Sequence, residues 1–163
     1  MTKQELRLWG ILRCAAKGNE LPEDDLAFAE SCLETPPPQA QANACEILFR
    51  CSRSEPTRCR ALDTVEQLCD KASEEDYVVT ILIVMLYIPL DAFSDRPTLR
   101  EFTFKCGSSN SWQIRTNAVS VLQRVATRGD RNALQLLQYL ASDSNRWVSE
   151  NARNAIHSLG ESA

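Results

Sequence analysis

A six-residue motif that occurs twice determines the fold: NAVSVL at residues 117–122 and NARNAI at residues 151–156. Around the first copy, apolar side chains recur every three or four residues, which places them on one side of an α-helix. This buried stripe consists of Ile114, Ala118, Val121, Leu122 and Val125. It returns 34 residues later as Val148, Ala152, Ala155, Ile156 and Leu159. A recurrence at this spacing is typical of helical repeat proteins.

The segment between the two copies is also amphipathic, so each repeat is predicted to be a pair of helices. Its apolar residues have helical spacing and are Ala133, Leu134, Leu137 and Leu140. We call the helix that carries the motif the stripe helix and its partner the first helix of the pair.

The stripe continues towards the N-terminus in steps of 36 or 37 residues. It recurs around Ile81, around NACEIL at residues 43–48, and around Leu8. Five stripe helices result, and four first helices are predicted at residues 22–34, 56–72, 96–105 and 130–141. The run Pro36, Pro37 and Pro38 is predicted to form a turn between helices. We therefore expect an all-α chain of about nine helices in one domain over residues 1–163, as its length and 44% hydrophobic content allow.

These repeats resemble HEAT repeats, whose second helix carries a Val-Arg pair followed by small and aliphatic residues. Ile114 and Arg115, followed by Ala118 and Val121, match that pattern, whereas Ser149 replaces the arginine in the last copy. The resemblance implies an α-solenoid, a right-handed stack of antiparallel helix pairs. Its stripe helices would line one face, on which such proteins hold macromolecular partners.

Cysteine and histidine usage does not indicate catalysis or metal binding. The seven cysteines include no Cys-x-x-Cys pair, and His157 is the only histidine. We expect free and mostly buried thiols rather than zinc ligands, and no cofactor. No nucleophile motif accompanies His157, and no glycine-rich phosphate loop is present. The chain is predicted not to be an enzyme.

Neither the N-terminus nor the most apolar helix predicts a membrane protein. MTKQELRLWG lacks a long apolar run with a cleavage site. Residues 77–88 are apolar almost all round but are fewer than the roughly 20 residues that a membrane span needs. We expect a cytoplasmic protein without a membrane partner. Either the following loop, residues 89–95, or a partner would cover this helix.

Charge is unevenly distributed along the chain. Residues 1–95 carry 9 Lys and Arg against 17 Asp and Glu, whereas residues 96–153 carry 9 against 4. The basic half could bind a phosphate backbone through Arg115, Arg124, Arg128, Arg131, Arg146 and Arg153. An isoelectric point near 5.1 and the repulsive acidic half argue against this. Nucleic-acid binding is therefore the alternative to protein binding.

The leading hypothesis is a non-enzymatic module that binds another protein through the face of its stripe helices. Projection at about 100° per residue places a column of side chains opposite the buried stripe. The partner-binding residues predicted from it are Arg13, Glu46, Phe49, Val79, Ile83, Leu86, Ser120, Gln123, Asn154 and His157. The column also contains Leu6, Gly10, Ala42, Thr116 and Glu150. An apolar centre with polar flanks is typical of a protein interface. An immunity-type inhibitor of a toxin, an adaptor and an assembly factor all fit this description.

Overall fold

The computed structural model describes residues 2–34, 37–127 and 129–161, and all regular structure in these residues is helical. A 3₁₀ turn, Cys32–Glu34, follows the second helix. The α-helices are α1 (Lys3–Ala16), α2 (Glu23–Ser31), α3 (Pro38–Cys51), α4 (Glu55–Lys71), α5 (Glu75–Met85), α6 (Leu90–Ser94), α7 (Pro97–Gly107), α8 (Trp112–Ala126), α9 (Arg131–Leu140) and α10 (Arg146–Glu161).

The prediction of an all-α chain is confirmed, but the described residues form ten α-helices rather than about nine. The additional helix is α6, which lies in a segment predicted to be a loop. Five residues are too few to display the 3.6-residue periodicity on which the prediction relied. Burial of Phe93 anchors this short helix. Of the three prolines in the predicted turn, Pro36 lies outside the described residues, and Pro38 is the first residue of α3. Proline is well suited to that position because the first helical N–H has no partner within the helix.

The chain consists of two compact units, Met1–Ile88 and Pro89–Ala163. Unit 1 contains α1 to α5, and unit 2 contains α6 to α10. The single domain over residues 1–163 stays a prediction.

In unit 1, the central helix is α3, which packs against α1, α2, α4 and α5. The predicted stripe residues Ala44, Ile47 and Leu48 are fully buried, and so are Ala40 and Cys45. Burying each large aliphatic side chain stabilises the fold by roughly 1.5–3 kcal/mol. Small residues allow neighbouring helices to approach α3 on several sides.

In unit 2, α8 packs against α7, α9 and α10, and α10 also packs against α9. The Ser111 hydroxyl accepts a hydrogen bond from the backbone N–H of Ile114 at 3.3 Å, which caps the start of α8. All five predicted stripe residues of α8 are buried. On α10, the predicted stripe residues Val148, Ala152 and Ala155 are buried too.

The asparagine of the repeated motif forms the same hydrogen bond in both copies. Asn117 Nδ2 donates to the carbonyl oxygen of Gln113 at 2.8 Å, and Asn151 Nδ2 donates to that of Trp147 at 2.8 Å. Each asparagine thus bonds to the backbone one turn earlier in its own helix.

The apolar helix α5 is buried on one side and half-buried on the other. Val78, Ile81 and Leu82 are buried, whereas Val79 and Ile83 are half-buried. Within the described part of the chain, no helix is both long enough and apolar enough to cross a membrane.

Candidate protein-interaction face

The first stripe helix, α1, is buried on one side and exposed on the opposite side. Leu8 and Ile11 are buried, whereas Leu6 is 52% exposed and Trp9 is 50% exposed. Arg13 is exposed, as the projection predicts, and its guanidinium carbon lies 5.0 Å from the centroid of the Trp9 ring. A guanidinium at this distance is attracted by the ring electrons.

The predicted outward side of α3 is wrong at two positions. Ala42 is fully buried, and Glu46 is only 6% exposed. Among the solvent-accessible residues of α3, Gln39, Asn43 and Arg50 share one side of the helix. The projection assumed that one side of each stripe helix is covered, which holds for α1 but fails for α3 because four helices surround it.

A repeat step of 37 residues relates some accessible residues of α3 to exposed residues of α1, although it takes the exposed Gly10 to the fully buried Ile47. A constant step of 37 residues leads from Leu6 to Asn43 and Thr80. The same step leads from Arg13 to Arg50 and Tyr87. The predicted column used a step of 36 between α1 and α3, and a one-residue difference rotates a helical position by about 100°.

Glu46 holds Arg50 in place on α3. Arg50 Nε lies 2.8 Å and Nη2 lies 2.7 Å from Glu46 Oε1. The Arg50 guanidinium carbon lies 3.6 Å from the centroid of the Tyr87 ring, which follows α5. Sequence analysis missed Arg50 and Tyr87, although the Glu-Arg pair at a separation of four residues was a visible signal. Glu46 is therefore better described as a positioning residue than as a contact residue.

A second contact joins α3 to α5 through uncharged polar groups. Gln39 Nε2 donates to the Thr80 hydroxyl at 3.1 Å, and that hydroxyl lies 2.9 Å from the Asp76 carbonyl oxygen, to which it donates. The predicted contact residues Val79, Ile83 and Leu86 are half-buried on α5 and its C-terminal end. We define the unit 1 face as Leu6, Trp9, Arg13, Gln39, Asn43, Arg50, Thr80, Ile83 and Tyr87.

A cleft of about 680 Å³ lies at the C-terminal ends of α1 and α3. The half-buried side chain of Phe49 lines it together with Leu21 and Arg50. Cys51 also lines the cleft, but burial raises the pKa of its thiol, which disfavours the nucleophilic thiolate at neutral pH. Most of the other lining residues are polar or charged, among them Glu20, Arg53 and Arg58, and Cys51 is poorly suited to act as a nucleophile.

The predicted contact residues of unit 2 are polar. Ser120 and Asn154 are exposed on α8 and α10, and His157 is exposed on α10. Gln123 is half-buried, and its Nε2 donates to the Ser158 hydroxyl at 2.6 Å, which joins α8 to α10. The roles of these four residues in partner binding stay predictions.

Arg115 makes four side-chain hydrogen bonds within the described part of unit 2. Its Nε and Nη2 donate to the two carboxylate oxygens of Asp143 at 2.7 and 2.9 Å. Its Nη1 donates to the carbonyl oxygens of Ser109 and Asn110 at 2.8 and 3.0 Å. The hydrogen bonds that Arg115 donates to the Asp143 carboxylate hold the pKa of Asp143 below its usual range. Arg115 therefore connects the segment before α8 to the segment before α10. Ser149 makes no equivalent link, because its hydroxyl donates to the Arg146 carbonyl within α10.

Other arginines of the proposed nucleic-acid site also contact their own chain. Arg146 Nε lies 2.7 Å from Glu150 Oε1, and Arg153 Nε donates to the Ala141 carbonyl at 3.0 Å. Arg124 is half-buried, and burial lowers its pKa. Arg128 lies outside the described residues. The positive charge open to a phosphate backbone is thus smaller than the arginine count suggests.

The cysteines do not form a site with recognisable chemistry. Cys32, Cys45, Cys69 and Cys106 are buried, Cys51 is half-buried, and Cys14 and Cys59 are exposed. Burial raises the pKa of the Cys106 thiol to about 12. Among the described residues, no group of three or more His, Cys, Asp and Glu side chains is arranged to bind a metal ion.

Comparison of the sequence with protein-family models and with curated proteins found no match in either.

Proposed function

We propose that the chain is a non-enzymatic module that binds another protein through its stripe helices. In this proposal the helices of each unit form HEAT-like antiparallel pairs, as in an α-solenoid. The observation that carries it is that two of the three described arginine–aromatic contacts of unit 1 involve its stripe helices, Arg13 with Trp9 and Arg50 with Tyr87.

These residue types are those that dominate protein interfaces. Trp, Tyr and Arg are enriched among residues whose truncation weakens binding by 2 kcal/mol or more. Each arginine already lies against an aromatic ring. Binding would therefore cost less side-chain entropy than it would for freely rotating side chains. The half-exposed Leu6 and half-buried Ile83 supply apolar area beside these contacts.

The physical arguments favour a protein partner over nucleic acid. Unit 1 carries 9 Lys and Arg against 15 Asp and Glu, a net charge of −6, which repels a polyanion. In unit 2, Asp143 and Glu150 neutralise Arg115 and Arg146. A cytoplasmic inhibitor of the immunity type and an adaptor are both compatible with such a face. An inhibitor would block the activity of its partner, whereas an adaptor would join two partners.

Affinity capture from a native lysate tests this proposal when it is done with matched variants. The test variants are Trp9→Ala and Arg50→Ala, which each remove one half of an arginine–aromatic contact. The control is Arg60→Ala, an exposed arginine on α4 that pairs with Glu30 and Glu34. We expect one protein to be captured by the wild type and by the control, and to bind each test variant about tenfold or more weakly in calorimetry with the purified partner.

Circular dichroism checks that the three variants keep the helicity of the wild type. Equal capture by all variants would rule out the unit 1 face as the binding site. Duplex DNA binding at physiological salt, together with no protein capture, would support the nucleic-acid alternative instead.

A further inference from the structure

Gly10 has no role within the fold that would require glycine. It lies in the middle of α1, where glycine disfavours a helix relative to alanine because its backbone loses more conformational freedom on folding. A methyl group added at Gly10 would meet no other atom within 4 Å. Gly18 and Gly129, by contrast, have positive φ angles of 75° and 82°, which favour glycine. Packing and backbone conformation therefore leave Gly10 unexplained.

Large apolar side chains lie beside Gly10 on the exposed side of α1. Leu6 precedes it by one helical turn, and Trp9 is its neighbour in the chain; both are half exposed. Arg13, one turn later, stacks on Trp9. The missing side chain at Gly10 thus leaves a notch between Leu6 and the Trp9–Arg13 pair, into which another backbone could fit closely.

Lysine side chains extend this exposed side of α1 towards both ends of the helix. Lys3 and Lys17 lie seven residues before and after Gly10, which corresponds to about two helical turns. Within the described residues, no carboxylate forms an ion pair with Lys3, Arg13 or Lys17. Arg7, on a different side of α1, pairs with Asp25 at 3.2 Å. Lys3, Arg13 and Lys17 lie on the exposed side of α1, opposite the buried stripe that contains Leu8 and Ile11. We call this exposed set the α1 stripe, and its members are Lys3, Leu6, Trp9, Gly10, Arg13 and Lys17. It is basic although unit 1 has a net charge of −6.

We propose that the α1 stripe binds a short acidic amphipathic helix of the protein partner. This inference rests on the proposed function and deepens it by naming the chemistry of the partner. Apolar residues of that helix pack on Leu6 and Trp9, and its backbone approaches α1 most closely at Gly10. Its carboxylates pair with Lys3, Arg13 and Lys17. The stripe is roughly 21 Å long, which matches a helix of about 14 residues.

Charge complementarity favours an acidic helix over three other occupants, which are a second copy of the chain, a membrane surface and a nucleic acid. In a symmetric pairing, a second copy of the chain would place these same three cations against one another. A membrane surface or a nucleic acid is an extended polyanion and would also come within about 8 Å, the Debye length, of the acidic remainder of unit 1. Leu6 and Trp9 also provide too little apolar area for stable membrane binding. A short acidic helix, in contrast to an extended polyanion, would carry negative charge only where it contacts the α1 stripe.

A display selection followed by binding measurements tests the inference. A library of random peptides of about 16 residues, long enough to span the stripe, is selected on the wild type after removal of peptides that bind Trp9→Ala. We expect the enriched peptides to have Leu, Phe or Trp at helical spacing, flanked by Asp and Glu. One enriched peptide is then synthesised with a fluorescent label for anisotropy measurements.

The decisive variant is Gly10→Gln, with Gly160→Gln as its matched control. Gly160 is also exposed in a helix, and a methyl group there would meet no atom within 4 Å. We expect Gly10→Gln to raise the melting temperature, because glutamine favours a helix, and yet to weaken peptide binding about tenfold or more. The control should leave the peptide affinity unchanged. Lys3→Glu, Arg13→Glu and Lys17→Glu together should weaken binding at least about as much and remove its salt dependence.

Several outcomes would overturn the inference. They are an absence of enriched peptides, a consensus without acidic residues, and unchanged affinity in Gly10→Gln. Binding to vesicles of phosphatidylcholine and phosphatidylserine, or to duplex DNA, with loss in the charge-reversed variant would also overturn it. If a captured native partner is lost in Arg50→Ala but binds Gly10→Gln normally, the proposed function stands and this inference fails. If all these variants bind the native partner normally, both fail.

Discussion

The stripe helices of the two units are alike on their buried sides and differ on their exposed sides. In α3 and α8, alanine and branched aliphatic residues fill the core at the same helical spacing. On the exposed sides, unit 1 presents Leu6, Trp9 and Arg13, whereas unit 2 presents Ser120 and Asn154 together with Trp112 and Trp147 at the starts of α8 and α10. Packing against neighbouring helices constrains the buried side in every repeat, whereas the exposed side is free to differ. We therefore expect specific binding to occur at the exposed sides of the stripe helices, whose residues differ between repeats.

The two units also use their buried ion pairs differently. In unit 1, Glu46 and Arg50 are one turn apart on α3, so their pairing is local. In unit 2, Arg115 and Asp143 are 28 residues apart, and their pairing connects two interhelical segments. The first pair positions a side chain on a surface, while the second stabilises the packing of unit 2.

The largest expected effect is the loss of stability when Asp143 is removed. Asp143→Ala leaves Arg115, whose side chain is only 14% exposed, without its carboxylate, and we expect a loss of about 3 kcal/mol. Glu46→Ala should cost less, about 1–2 kcal/mol, because Arg50 keeps its contact with Tyr87 and borders an open cleft. Urea denaturation followed by circular dichroism measures both values. Equal losses of stability in the two variants would contradict the proposed distinction between the local Glu46–Arg50 pair and the Arg115–Asp143 pair that connects two segments.

A smaller effect concerns the pH dependence of stability. Hydrogen bonds from Arg115 lower the pKa of Asp143 in the folded state below its unfolded value. The resulting stabilisation is fully present above the unfolded pKa, near 4, and is lost as the pH falls through the lower folded pKa. We expect Asp143→Asn to be less stable than the wild type at neutral pH and to lose less stability on further acidification. Parallel stability curves from pH 6 down to about pH 2 would contradict this assignment.

The smallest expected effects have opposite signs at two glycines. Gly10→Ala should raise the free energy of unfolding by about 0.5–1 kcal/mol, because alanine favours the helix and the site is open. Gly107→Ala should lower it by about 1 kcal/mol, because the new methyl group would lie 2.7 Å from Leu136 Cδ2 and 3.4 Å from Leu122 Cδ1. Chemical denaturation of the two variants under one set of conditions measures the difference. An increase in both variants would show that helix propensity outweighs the local packing at Gly107.

Much of the secondary structure could be predicted from the sequence because its signals are local. The spacing of Ile114, Ala118 and Val121 predicts the buried side of α8, and all three residues are buried. The short helix α6 was missed because it contains little more than one turn. In the candidate site, Arg13 was placed correctly on an exposed surface, whereas Glu46 was not. The projection failed on α3 because the four helices packed around it leave only a narrow side open.

The sequence by itself determined most of the helical segments and most residues of the buried stripes, such as Ile114, Ala118 and Val121 on α8. These properties depend on groups within one or two turns of one another, and such groups have fixed spacings in the chain. Only the tertiary structure decided that Glu46 is buried, that Arg50 stacks on Tyr87, and that Arg115 pairs with Asp143. The number of helices packed around a segment decides which of its sides remain open. Periodicity within one helix carries no information about that number.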